Sequence, residues 1–174
     1  MTDMAVTVLL NKQAITEVLY RYSRAMDRID REATLAIWHP DGTCNYSSTA
    51  GVPDMLFRDY LTGSTKARQG FASHSHQITN ILIEVEGDRA VSEAYFTASL
   101  QTVPENGTVT EHLWRGRYLD RWSRRDGKWA IDHRQVVFDS YTPYDFPADR
   151  LEGMPLGLSR RDGEDPSYAH LKDL

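Results

Sequence analysis

At residue 73 the spacing of apolar side chains changes, and that change constrains the fold more than any other feature of the chain. Upstream, Leu10, Ala14, Ile15, Val18, Leu19, Tyr22 and Ala25/Met26 recur at i, i+3 and i+4, which predicts an amphipathic helix over 8–26. Downstream, "SHSHQITNILIEVEGDRAVSEAYFTASLQTV" alternates with a period of two and reads as two strands joined at Glu86-Gly87-Asp88. "TVTEHLWRGRYLDRWSRRDGKWAIDHRQVVFDSY" reads as two more, joined at Arg125-Asp126-Gly127, where Asp-Gly is a hairpin signal. "PENG", 104–107, supplies a third hairpin connection. Helices followed by a run of strands predict an α+β fold, with N-terminal helices packed on a strongly curved, mostly antiparallel sheet. Such a cone has an open mouth, a natural pocket for a small molecule.

Shorter elements fill the gaps. Asp30 is placed to cap a short helix over 31–38, which Pro40 and Gly42 end. "TCNYSS" reads as a short strand, and 53–69 as a helix with Pro53 in its first turn. The main domain then covers 1–141. Residues 142–174, rich in Pro, Gly and charge, form an irregular arm that covers the pocket or a neighbouring subunit.

Composition narrows the partners. A chain of 174 residues builds one core, and its net charge of −5, with basic residues interleaved among acidic ones, offers no concentrated positive face for nucleic acid or an anionic membrane. The apolar run "MAVTVLL" is too short to cross a bilayer and lacks the features of a signal peptide, so a cytoplasmic location is expected. Cys44 is the single cysteine, which excludes an intrachain disulfide and a cysteine-rich zinc site.

The candidate chemistry lies where helix and strands converge. On strict alternation His74, His76, Ile78, Asn80 and Leu82 share one face of a strand, and Ile81, Ile83 and Val85 take the other, the face expected to bury itself in an oligomer. The two histidines are compatible with a metal pair completed by His112 or Asp27, with a catalytic base held by a carboxylate, and with ordinary structural roles. Asp27, at a helix C-terminus, gains nothing from the helix dipole, so it is either a solvated charge or a functional one. His112, Trp114, Gly116, Tyr118, Asp120 and Trp122 share a strand face, compatible with core packing, above all for Trp122, and with a glycine that leaves room for a ligand ring beside Trp114 and Tyr118. Trp129, Ile131 and His133 share another, with Arg134 opposite.

The helix ending in "DRID" followed by "WHPDG", the strand "HSHQITN" and the hairpin "RRDGKW" resemble the nuclear transport factor 2-like superfamily, in its polyketide-cyclase-like (SnoaL-like) branch. The pattern is most similar to the hexachlorocyclohexane dehydrochlorinases and scytalone dehydratases. The resemblance implies a lyase that needs no metal or organic cofactor and acts on a small hydrophobic or aromatic substrate. It implies His76 as the base, Asp27 as its orienting carboxylate and Arg134 as a polar stabiliser, with His133 in reserve. Tyr22 stands where the dehydrochlorinase has a lysine, which favours a hydroxyl or carbonyl over a halide. His74, Asn80, Trp114, Tyr118, His112 and His133 are the expected binding residues. Related cofactor-free activities on this fold are C–C cleavage of diaryl compounds, isomerisation and polyketide cyclisation. A carrier or a non-catalytic subunit of the dioxygenase β type is the alternative to an enzyme. Association as a homodimer or homotrimer is implied on the same grounds.

Overall fold

The computed structural model describes residues 2–103, 107–151 and 160–172. Helix α1 (Thr2–Asp27) carries the apolar stripe: Ile15, Leu19, Tyr22, Ala25 and Met26 are buried, whereas Leu9, Leu10 and Tyr20 are exposed. Asp30 accepts a hydrogen bond from the Ala33 amide at 2.9 Å, capping α2 (Arg31–Leu35) as the sequence predicts. Six strands follow: β1 (Trp38–Tyr46), β2 (Val52–Leu56), β3 (Ser73–Glu86), β4 (Arg89–Thr102), β5 (Thr108–Arg125) and β6 (Lys128–Pro147). They form one sheet in the order β2-β1-β6-β5-β4-β3, antiparallel except where β1 runs parallel to β6. The short α3 (Ser47–Ala50) and the longer α4 (Phe57–Gln69) flank β2 in the chain, and α5 (Pro166–His170) lies within the arm. None of these helices is long and apolar enough to cross a membrane.

Several elements differ from the sequence reading. Pro53 lies in β2 rather than in a helix; β2 is an edge strand, where a residue without an N–H is tolerated. Pro40 and Gly42 fall inside β1 instead of ending a helix. β6 continues to Pro147 because residues 142–147 pair with Thr108–Leu113, so the segment after Thr142 begins as strand rather than irregular chain. Three residues of the "PENG" connection lie outside the described residues; Gly107 ends it with a φ of 75°.

Of the sheet's β-bulges, those at Asn80 and Asp132 decide where the candidate side chains face. In β3, Asn80 and Ile81 together face Ala94, and Asn80 takes a φ of 49°. The alternation shifts there, so His74, His76 and Ile78 share the inner face with Ile81, Ile83 and Val85, and Ile83 joins the core. The predicted outer face is therefore inner, and the outer face carries Leu82, Val91 and Tyr95. In β6, Asp132 is the extra residue between the pairs Arg121↔His133 and Trp122↔Ile131. That bulge turns Arg134 into the core beside Ile131 and Val136 and sends His133 outward, reversing the predicted faces.

Gly116 does not make room for a ligand. A Cβ there would collide with the Val137 carbonyl oxygen and lie 2.8 Å from the Phe96 ring. The space belongs to Phe96, which stacks on Tyr118 with ring centroids 4.4 Å apart. Gly116→Ala is expected to destabilise the protein by about 1–3 kcal/mol through overpacking; a urea unfolding midpoint equal to wild type would contradict this packing.

Candidate active site

The last turn of α1 lies across β3 and brings Asp27 to His76. The carboxylate accepts the imidazole Nδ1–H at 2.5 Å and also the His76 backbone N–H, at 3.1 Å to Oδ1 and 3.0 Å to Oδ2. A carboxylate accepts and cannot donate, so this contact places the proton on Nδ1 and leaves Nε2 as the basic nitrogen. Both side chains are shielded, 17% and 10% exposed for Asp27 and His76, which strengthens the pair against competition from water.

His76 opens onto a cavity of about 540 Å³ bordered by α1, α4 and the inner face of the sheet. Its wall is largely aromatic, with Tyr60, Phe71, Phe96, Trp114, Tyr118 and Phe138 among the lining side chains. Tyr22 and Tyr46 add two phenols whose oxygens are 3.2 Å apart. Burial holds the Tyr46 and Tyr118 hydroxyls well above the ordinary phenol range, and neighbouring phenols push the same way; Tyr60 is raised to about 12, mainly by burial. These groups stay protonated and are hydrogen-bond donors at neutral pH.

Beneath the phenols lies a buried ion pair. Arg134 donates from Nε and Nη2 to the two carboxylate oxygens of Asp120 at 2.7 and 2.8 Å, with both side chains 0% exposed. Its guanidinium carbon is 4.2 Å from the centre of the Tyr22 ring and 3.9 Å from that of Tyr118. Burial opposes the arginine charge, but Asp120 outweighs it, so Arg134 is held as a cation.

The structure thus brings His76, His74, Tyr22, Trp114 and Tyr118 to the cavity wall, with Asp27 behind His76, and leaves other expected residues outside it. Arg134 sits under the phenols and does not line the wall, its charge committed to Asp120. Asn80 is exposed at the β3 bulge. His112 pairs with the Tyr141 hydroxyl at 2.8 Å and with Thr102 Oγ1 at 3.1 Å. His133 faces Thr43 Oγ1 at 2.8 Å on the far side of the sheet. Among the described residues no three His, Cys, Asp or Glu side chains are grouped as a metal-ligand set. Sequence reasoning missed Tyr46, Tyr60, Phe71 and Phe96. Tyr46 had a signal, since Cys44 and Tyr46 fall on one face of the strand read at "TCNYSS".

The arm also reaches the site. Asp165 accepts a hydrogen bond from Arg28 Nε at 3.1 Å, and the Tyr168 hydroxyl donates to Asp30 at 2.7 Å, fastening α5 to the end of α1. Arg161 donates to the carbonyl oxygens of Phe71 and Arg68, next to β3. Burial, then the nearby Arg161 and His76, lower the His74 imidazole from 6.5 to about 3.

A family model described as a SnoaL-like domain matches residues 7–135. No curated protein matches the sequence. Among solved structures, a protein of Kribbella flavida aligns with a TM-score of 0.70 at 21% identity, covering 79% of this chain and 95% of that one. A scytalone-dehydratase candidate from Novosphingobium aromaticivorans aligns with a TM-score of 0.68 at 22% identity, covering 90% and 100%. LinA, a hexachlorocyclohexane dehydrochlorinase, gives 0.69 at 19% identity, covering 91% and 99%. At these identities the likeness is one of fold.

Two outcomes follow from the electrostatics. Asp120→Asn leaves Arg134 buried without its counter-charge and is expected to lower stability by about 3–5 kcal/mol in urea unfolding; a change within error would mean that the pair is not desolvated as described. For His74, the folded state binds a proton less readily than the unfolded chain, so stability is complete above pH 6.5 and declines as the pH falls toward about 3. The unfolding midpoint between pH 7 and pH 4 should therefore fall less steeply in His74→Phe than in wild type, and parallel slopes would refute the assignment.

Proposed function

The chain belongs to the SnoaL-like family, and on that premise we propose that it is a cofactor-independent lyase that removes a proton from a small, largely apolar aromatic or cyclic substrate and expels an oxygen leaving group. The observation that carries this reading is the Asp27–His76 contact at 2.5 Å, with His76 lining an aromatic-walled cavity. Cofactor-free proton abstraction needs a base in one tautomer, and a carboxylate on Nδ1 supplies that requirement.

In the proposed step His76 Nε2 takes a proton from carbon. The C–H electron pair becomes the new C=C bond, and the bond to the leaving oxygen breaks with its pair going to oxygen. Tyr22 and Tyr46 donate hydrogen bonds to that oxygen as charge grows on it, and water is released once it gains a proton. Asp27 stabilises the imidazolium that forms and does not itself need to accept the proton. The largely apolar wall lowers the local dielectric around these dipoles and strengthens them relative to water. Arg134 contributes from below by fixing the Tyr22 and Tyr118 rings, a positioning role rather than contact with substrate.

The aromatic wall also suits a second reaction with the same base. Deprotonation of a hydroxyl next to a C–C bond would release an aldehyde by retro-aldol cleavage, with the carbanion's pair delocalised into an adjacent carbonyl or ring. The substrate decides between the two.

The test is turnover of aryl-substituted β-hydroxy ketones and diaryl propanediols in chelator-treated buffer by wild type, Asp27→Asn and His76→Ala. Asp27→Asn should keep the wild-type melting temperature within a few degrees yet lose about 10²–10⁴-fold in kcat, because the amide can stabilise the wrong tautomer. Undiminished turnover in that variant would overturn the dyad.

A further inference from the structure

His74 differs from His76 in one respect that the proposed reaction does not use. Its side chain is 7% exposed, it lines the cavity, and neither Nδ1 nor Nε2 has a hydrogen-bond partner. Of the described residues with buried polar atoms left unpaired, His74 alone lines the cavity; Ser23, Arg24, Trp38, Arg134 and Arg161 do not. A desolvated imidazole with both nitrogens unmet is unfavourable unless something that enters the cavity satisfies it.

The surroundings define what that something is. The Phe71 ring is 5.3 Å from the His74 ring, and Leu100 and Trp114 also line the cavity, so the ligand's frame here is apolar and flat. Burial first, then Arg161, His76 and Arg68, outweigh the opposing pull of Asp27, so His74 is neutral and offers one N–H and one lone pair. A carboxylate only accepts and an ammonium only donates, so each could use just one of those two capacities. A hydroxyl does both, and so matches either tautomer. The His74 and His76 rings are 6.1 Å apart, so one small ligand can reach both.

We propose that His74 is a substrate-binding residue that reads an uncharged hydroxyl on an aromatic frame, which makes the substrate class of this site a hydroxylated aromatic compound rather than a hydrocarbon or halocarbon ring. This inference rests on the proposed function for the identity of the site, but not for its own test, which reads binding alone.

The probes are 4-phenylphenol and 4-methylbiphenyl, which match in shape and differ in the hydroxyl. Their affinities are read by quenching of tryptophan fluorescence, to which Trp114 in the wall contributes. Wild type should bind the phenol at least about tenfold more tightly, because the analogue without a hydroxyl leaves the imidazole unpaired. His74→Phe should erase that preference without weakening 4-methylbiphenyl, and His74→Gln, which keeps a donor and an acceptor, should retain most of it. Equal affinity of the two probes for wild type, at whatever level, overturns the proposal. So does a preference that survives in His74→Phe, which would assign the hydroxyl to Tyr22 and Tyr46. The same preference measured in Asp27→Asn separates the two readings: it persists if His74 reads the hydroxyl, whether or not the Asp27–His76 dyad proves catalytic.

Discussion

Arg134 is a full positive charge with no exposure to water, and the cone is organised around its accommodation. Removing such a group from solvent is expensive unless its hydrogens and its flat faces are both met. Asp120 on β5 takes two of the hydrogens and Nη1 is left without a hydrogen-bond partner, while the rings of Tyr22 on α1 and Tyr118 on β5 lie against the faces, with Trp38 on β1 farther out at 5.6 Å. One side chain on β6 therefore fixes the seating of α1 on the sheet. Asp27 lies five positions beyond Tyr22, about 7 Å further along the same helix, so the seating of α1 also sets where its carboxylate meets β3.

The same strand holds two histidines in opposite circumstances. His76 is committed to a carboxylate through both its ring and its backbone, whereas His74 lies between cations and hydrocarbon and stays neutral. A spacing of i and i+2 puts them on one face, but the environment each meets is set by α1 and by the arm. Asp27 reaches one, and Arg161 approaches the other. Function on this fold is decided at that level, by which charge sits beside which imidazole, and the family fold alone does not specify it.

How far the sequence exposed this arrangement depended on whether a feature was local. The change from a 3.6-residue to a two-residue period, the Asp30 cap and the Asp126-Gly127 turn were legible because each is satisfied within a few residues. The two bulges were not. Nothing in "HQITNILIEV" announces that Asn80 will take a positive φ, and every side chain after it then faces the opposite way from strict alternation. Arg134 illustrates the result: alternation from Ile131 puts it on the outer face, and the extra residue at Asp132 puts it in the core. Asp27 and His76 stood out singly, but their pairing was implied by resemblance, since a helix-end aspartate and a strand histidine 49 positions apart carry no mutual signal until the helix docks. Tyr46 and Phe96 escaped because an aromatic residue on a strand reads as core, and here the core and the cavity wall are one surface.

β3 lies at the edge of the sheet, and its neighbour on one side is β4 alone. An edge strand displays amide groups that invite another chain to add itself, and native sheets block that invitation with charge or with a cover. The His76 amide is answered by Asp27, so the carboxylate proposed to steer the imidazole also guards the open margin of the sheet. The two duties fall on the same pair of oxygens. A residue at position 27 that cannot accept a hydrogen bond would therefore bare the His76 amide at the sheet edge at the same time as it removed the imidazole's partner.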